Sequence, residues 1–201
     1  MQFRAMLLAL AAFSAVICSQ VAAQAPAPVR IRGELTAVDA DSITVQRKAG
    51  GTVKIGVKPD QTVSAVKKLA LSDVKPGSYV GIATKNSGGK LVALEVLVFP
   101  EAGRGTSEGH FEWDLAPGSM MTNANVDTVV ETVDGRNLKL SYKGGTKEIT
   151  VPANAPVVTP TSASRADLVP GKKVFVIANG DASNMSAVRV YVEKDGVAPP
   201  M

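Results

Sequence analysis

Cysteine is almost absent from this chain. The one present, Cys18, lies inside an N-terminal stretch that reads as a secretory leader, so the processed chain has no thiol. That excludes disulfides, thiolate metal sites and a cysteine nucleophile. Histidine occurs once, as His110, and tryptophan once, as Trp113. One histidine without cysteine is a thin ligand set for zinc. The few aromatic residues of the repeated segments, Tyr79, Tyr142, Phe175 and Tyr191, are scattered, and basic residues do not cluster round them. They form no stacking platform for a nucleic acid. No G-x-S-x-G elbow occurs, and glycine turns such as Lys143-Gly144-Gly145 lack the spacing of a phosphate loop. Beyond the leader, no apolar run reaches the length of a bilayer span.

The leader itself is "MQFRAMLLALAAFSAVICSQVAAQAPAP". Arg4 supplies a positive start, residues 5–17 are apolar, and Val21-Ala22-Ala23 is a small-residue cleavage site. Residues 1–23 are therefore expected to be a signal peptide and 24–28 a Pro-rich start. Ile17 argues against lipidation of Cys18, because a small residue belongs at that position. Losing Arg4 with the leader leaves 21 basic against 18 acidic residues. The signs are interspersed, so neither a nucleic-acid tail nor a lipid-binding run is present. The expected location is the periplasm or the medium, with no transmembrane segment after cleavage.

The remaining chain is written twice. "VDADSITVQRKAGGTVKIGV" from Val38 parallels "VDGRNLKLSYKGGTKEITV" from Val133, and "SDVKPGSYVGIA" from Ser72 parallels "ADLVPGKKVFVIA" from Ala166. "GKLVALEVLVF" from Gly89 parallels "SNMSAVRVYVE" from Ser183. Matched features in one order identify an internal repeat. Each copy alternates apolar and polar residues with the period of a half-buried strand, as in Ile31, Gly33, Leu35 and Ala37. Gly50-Gly51 reads as a hairpin turn and Pro76-Gly77 as a tight turn. The fifth strand of the first copy presents Val92, Leu94, Val96 and Val98 on one face. Between the third and fourth strands, "VSAVKKLALSDV" and "SASRADLV" leave room for one helical turn, with Ser164 as an N-cap.

Five short strands per copy predict an all-β protein with two small OB-like five-stranded barrels in tandem, joined by an ordered linker. The boundaries are 29–99 for the first barrel, 100–124 for the linker, 125–194 for the second barrel and 195–201 for a frayed tail. The competing architecture is one continuous two-sheet sandwich. The run "GELTAVDADSITV", "GGTVKIGV", "LSDVKPGSYVGIA", "GGKLVALEV" resembles the DUF5666-type exported β-barrel domain, once in each half. With residues 104–123 included, the chain also resembles alphaproteobacterial exported proteins often labelled "metal ABC transporter permease". A permease needs several membrane spans, and none follows the leader here. The resemblance implies fold and compartment and carries over no catalytic residue.

The linker segment "RGTSEGHFEWDLAPGSMMTN", Arg104 to Asn123, is the one stretch with concentrated chemistry. Extended, it places Phe111 and Trp113 on one face and Glu108, His110, Glu112 and Asp114 on the other. The apolar face needs a dock, and the fifth strand offers Leu97 and Phe99 on what should be its wet side. Burying Trp113 there would contribute roughly 2–3 kcal/mol. The second copy has Tyr191 and Glu193 at those positions. The polar face is a carboxylate and imidazole array competent for zinc or copper(II), and Met120 with Met121 could add thioethers for copper(I). Three or four ligands must converge for that, and packing is the commoner role of such residues. His110 with Ser107 or Ser119 is the only Ser/His pairing available. No motif with a mechanism emerges, so no enzyme activity and no cofactor are expected. The sequence favours a non-catalytic periplasmic binding or structural module whose partner is another, unidentified periplasmic protein. The alternative is a periplasmic metal-binding accessory protein, linked to a metal transport system, that uses the His110 face.

Overall fold

The computed structural model describes residues 28–181 and 183–201. The expected signal peptide, with Cys18, and most of the Pro-rich start lie outside the described residues. The order is β1 (Val29–Val38), β2 (Ser42–Arg47), β3 (Thr52–Gly56), β4 (Val63–Lys68), β5 (Tyr79–Ser87) and β6 (Lys90–Val98) in the first copy. The short strand β7 (Gly109–Glu112) follows. The second copy gives β8 (Met120–Thr132), β9 (Gly135–Tyr142), β10 (Gly145–Pro152), β11 (Val157–Ser162), β12 (Lys173–Asp181) and β13 (Asn184–Val192). The protein is all-β, with three short 3-10 turns and no α-helix among the described residues. Among the described residues no helix is long and apolar enough to cross a membrane.

Two five-stranded rings close, and neither is made from one copy. β1 pairs with β2, β2 with β3, and β1 also with β12. β12 pairs with β13, which returns to β3 through Ser186↔Gly56. The second ring runs β8–β9–β10, then β6 and β5, and back to β8. The first three strands of each copy are thus closed by the last two strands of the other. Each copy was expected to close its own barrel, with boundaries at 29–99 and 125–194. The closed five-stranded rings are present, but their strands are exchanged.

The exchange follows from a strand that the sequence reading missed. Val63–Lys68 is not helical. It is β4, and its counterpart is β11. These two pair antiparallel with each other, with Val66 opposite Pro160, on a pseudo-twofold axis. On their outer sides β4 runs parallel to β13 and β11 parallel to β6. The pairs Val63↔Val190 and Val157↔Val96 are one pair with the copies interchanged. Each β4-type strand therefore carries the chain out of one ring and delivers it to the other. All strands but β7 lie on one hydrogen-bonded path through both barrels. The helical content shrinks to turns at Leu71–Asp73 and Arg165–Asp167. Ser164 does cap the second, its N–H and hydroxyl both donating to the Asp167 carboxylate.

Each ring encloses its own apolar core. One gathers Leu35, Ile43, Val45 and Ile55 with Val174, Val176, Val190 and Val192. The other gathers Val80, Ile82 and Val96 with Ala124, Leu138, Leu140, Ile149 and Val151. Both are mixtures of the two copies, so burial of about 1.5–3 kcal/mol per large side chain ties the halves together. Arginines add cross-copy staples. Arg136 donates to the carbonyls of Leu71 and Val74, and Arg165 to those of Asp39 and Ala40.

Two other expectations change. In β6 a bulge at Leu94 separates the pairs Ala83↔Glu95 and Thr84↔Ala93. Strict alternation fails there, because a bulge turns the strand and reassigns faces. Ala93, expected on the outer face, joins the ring core beside Val96, while Glu95 and Leu97 keep the outer face that alternation gave them and are buried there. The tail 195–201 is not frayed. It turns at Lys194 and Val197, and Met201 packs on Val66, Leu97, Val158 and Phe175.

A cut in the linker between Gly105 and Ser107 tests the exchange. The two fragments should co-elute at the size of the intact chain and part only in denaturant. Independent halves in native buffer would show that each copy closes its own ring.

Candidate functional site

The linker from Pro100 to Ser119 is fixed along its length by polar contacts that its own sequence supplies. After a 3-10 turn at Glu101–Gly103, Arg104 donates to Asn125 at 2.6 Å and to the Gly77 carbonyl at 2.9 Å. The Thr106 carbonyl accepts from the Tyr79 hydroxyl and from Asn123, both at 3.1 Å. β7 then adds to β8, with His110 opposite Thr122 and Phe111 opposite Met121. The chain doubles back through a tight loop. Trp113 N–H donates to the Ser119 carbonyl at 2.9 Å, and the Ser119 hydroxyl donates to the Trp113 carbonyl at 2.8 Å. Residues 120–124, assigned from sequence to the linker, are the start of β8.

That loop delivers Trp113 to the seam between the barrels. Its ring lies edge-on to Phe111 at 6.2 Å and tilted to Phe175 at 6.5 Å. The Arg30 guanidinium sits 4.1 Å from the ring centre and that of Arg32 5.7 Å. Leu97, Phe99, Phe175, Tyr191 and Met201 complete the same cluster. Phe99 packs in turn on Tyr79, the rings tilted at 5.3 Å between centres. Asp114 follows Trp113 and meets Arg32 at 3.0 Å and Arg30 at 4.0 Å. The linker is thus paired to one ring through β7 and pinned to the other through a cation–π and ion-pair contact.

The four residues of the predicted metal array go to separate places. Glu108 accepts from the Lys143 backbone N–H at 2.8 Å. His110 holds its Nδ1 2.8 Å from the Thr122 hydroxyl and stacks over Tyr142 at 6.5 Å. Glu112 is exposed. Asp114 belongs to the arginines. Alternation put them on one face of a strand, but β7 is only four residues long, and Asp114 lies beyond its end. Among the described residues no three His, Cys, Asp or Glu side chains gather as metal ligands. Burial holds His110 below the usual imidazole range, with the Lys147 charge adding to the effect. The paired Thr122 is fully buried.

The seam also holds groups that the sequence did not mark. Glu95 is 1% exposed and neither carboxyl oxygen has a partner. Burial pushes its carboxyl up to about 7, opposed by the charge of Arg32. Arg32 donates through Nε to the Met201 oxygen, pairs through Nη1 with Asp114, and keeps a buried Nη2 without a partner. Trp113 Nε1 is buried and unpartnered as well. The polar side of β1 was legible as Arg30 and Arg32 alternating with Ile31 and Gly33. That this side meets the other barrel depends on the exchange, which alternation does not report.

Two outcomes follow for the linker. Trp113→Ala should destabilise the protein by about 3 kcal/mol in denaturant melts, since it empties an aromatic seam. Asp114→Asn, at a half-exposed pair, should cost about 1 kcal/mol or less. A neutral Trp113→Ala would refute the docking role. His110, the only histidine, should titrate in a proton NMR pH series below the ordinary 6.5. Its folded state resists protonation, so its share of stability is lost as pH falls below 6.5. A midpoint at or above that value contradicts the buried stacking described. No family model matches the chain, and no curated protein or solved structure is significantly similar to it.

Proposed function

We propose that this chain is an exported, non-catalytic binding or structural module of the periplasm that works as one rigid two-barrel body. The observation that supports it most is where the chemistry-bearing side chains of the linker go. Glu108, His110 and Asp114 each hold a different part of the fold, at Lys143, Thr122 and the Arg30–Arg32 pair. Side chains already engaged in this way act as fasteners. The strand-exchanged body they fasten is suited to presenting fixed surfaces to another protein of the cell envelope. The leader and the resemblance to DUF5666-type exported domains support the compartment.

The test is a thermal melt of residues 24–201 with and without zinc, copper and manganese, run beside His110→Ala. A ligand selective for the folded state raises stability by mass action. The expected result is no metal-specific rise and the same metal response in the variant. A rise with one metal that disappears in His110→Ala would replace this reading with metal handling through the linker face.

A further inference from the structure

The seam contains donors and acceptors that are both buried and unmet. Glu95 offers two carboxyl oxygens from β6 of one barrel. Arg32 offers Nη2 from β1 of the other, and Trp113 offers Nε1 from the linker tip. Buried polar groups are rarely left unsatisfied, and such exceptions call for an account. We propose that Glu95 is a proton-operated latch on the seam between the barrels, closed when its carboxyl is neutral and released when it ionises and captures Arg32.

The chemistry runs through one guanidinium. With Glu95 neutral, Arg32 spends Nε on the Met201 oxygen and Nη1 on Asp114, and so anchors both the tail and the linker tip. An ionised carboxylate cannot stay unpaired in an apolar seam. Among the described residues, the cation that acts on it and holds a spare buried donor is Arg32. Turning that donor to Glu95 draws the guanidinium from Asp114 and Met201. It also moves a positive charge relative to the Trp113 ring. The seam then has two discrete arrangements selected by one proton, which is the form a switch requires.

Other charges near the seam do not duplicate this role. Arg30 on β1 lies over Trp113 and near Asp114. β5 contributes Tyr79, whose hydroxyl is engaged with Thr106. β13 contributes Tyr191 and the exposed Arg189, β12 the exposed Lys173, and β4 the exposed Lys67 and Lys68. β8 and β10 carry Asp127, Glu131, Lys147 and Glu148, and β11 carries no ionisable group. Only Arg32 acts on the Glu95 titration beyond burial itself.

Burial lifts the Glu95 carboxyl from 4.5 to about 7. Between those values the folded chain keeps a proton that the unfolded chain has lost. Stability from the closed latch is complete below 4.5 and fades as pH rises through about 7. Trp113 is the only tryptophan, so its fluorescence reports the seam alone. In a titration of the purified protein, emission should shift to the red through one transition centred near 7. Glu95→Gln should hold the low-pH spectrum throughout, while His110→Gln should keep the transition. Absence of the transition in the unaltered protein, or its survival in Glu95→Gln, overturns the proposal. Should Glu95→Gln fail to fold, carboxyl carbon NMR of the unaltered protein decides. One glutamate must titrate near 7, with the Trp113 indole resonance moving at the same midpoint. Ordinary midpoints for every glutamate overturn the latch.

Discussion

The antiparallel pairing of β4 with β11 across the pseudo-twofold axis is the constraint on which everything else rests. A strand at the axis can belong to neither ring. It hands the chain from one to the other, and its partner does the reverse. Each core is then shared by both copies, and loss of either copy opens both rings. The architecture is that of an exchanged dimer contained in one chain, where the second subunit is present at very high effective concentration. Cooperativity between the barrels follows from the connectivity.

A second consequence is the seam. Exchange places the outer face of one ring directly against that of the other, so side chains that a lone barrel would leave wet become buried. Leu97 and Phe99 come from one ring, Phe175 and Tyr191 from the other, and Val66 and Val158 from the axis strands. Glu95 is buried by the same geometry. It lies on a ring exterior, where a solitary barrel would let it meet water. The linker and tail then close the seam, and both are held through Arg32.

Strands, turns and the repeat were legible because they are local. Gly50-Gly51 does adopt the positive φ that its hairpin needs, and the alternation gave the inner rows of β2 and β3 and of β1 as far as Leu35, beyond which a bulge turns Val38 rather than Ala37 to the core. The exchange was not legible, since β5 has the same partner types whether it closes onto β1 or onto β8. Both are alternating strands of one repeated pattern, and a pattern carries no copy number. β4 was hidden because "VSAVKK" is short and has buried residues on both faces, which erases the two-residue period. Alternation placed Glu95 on the outer face of β6, but its burial was hidden by the exchange, which covers that face. In the linker, Phe111 and Trp113 were readable as residues needing cover. The dispersal of Glu108, His110, Glu112 and Asp114 was not, because it depends on where β7 stops.

Symmetry also explains why the seam has a single latch. The paired positions Gly81↔Leu97 in one copy correspond to Phe175↔Tyr191 in the other. At Gly81 a side chain would lie 2.7 Å from the Asn123 amide oxygen and 3.2 Å from the Phe99 ring, so glycine lets Asn123 of β8 and Phe99 close down on β5. At Phe175 the ring instead projects to receive Trp113 and Arg32. The next pair repeats the contrast, Ala83↔Glu95 against Ile177↔Arg189, with Glu95 buried and Arg189 exposed. A duplicated body begins with two equivalent outer faces, but one linker and one tail can cover only one arrangement of them. A buried carboxyl at one site and a solvated guanidinium at its equivalent is the chemical residue of that choice.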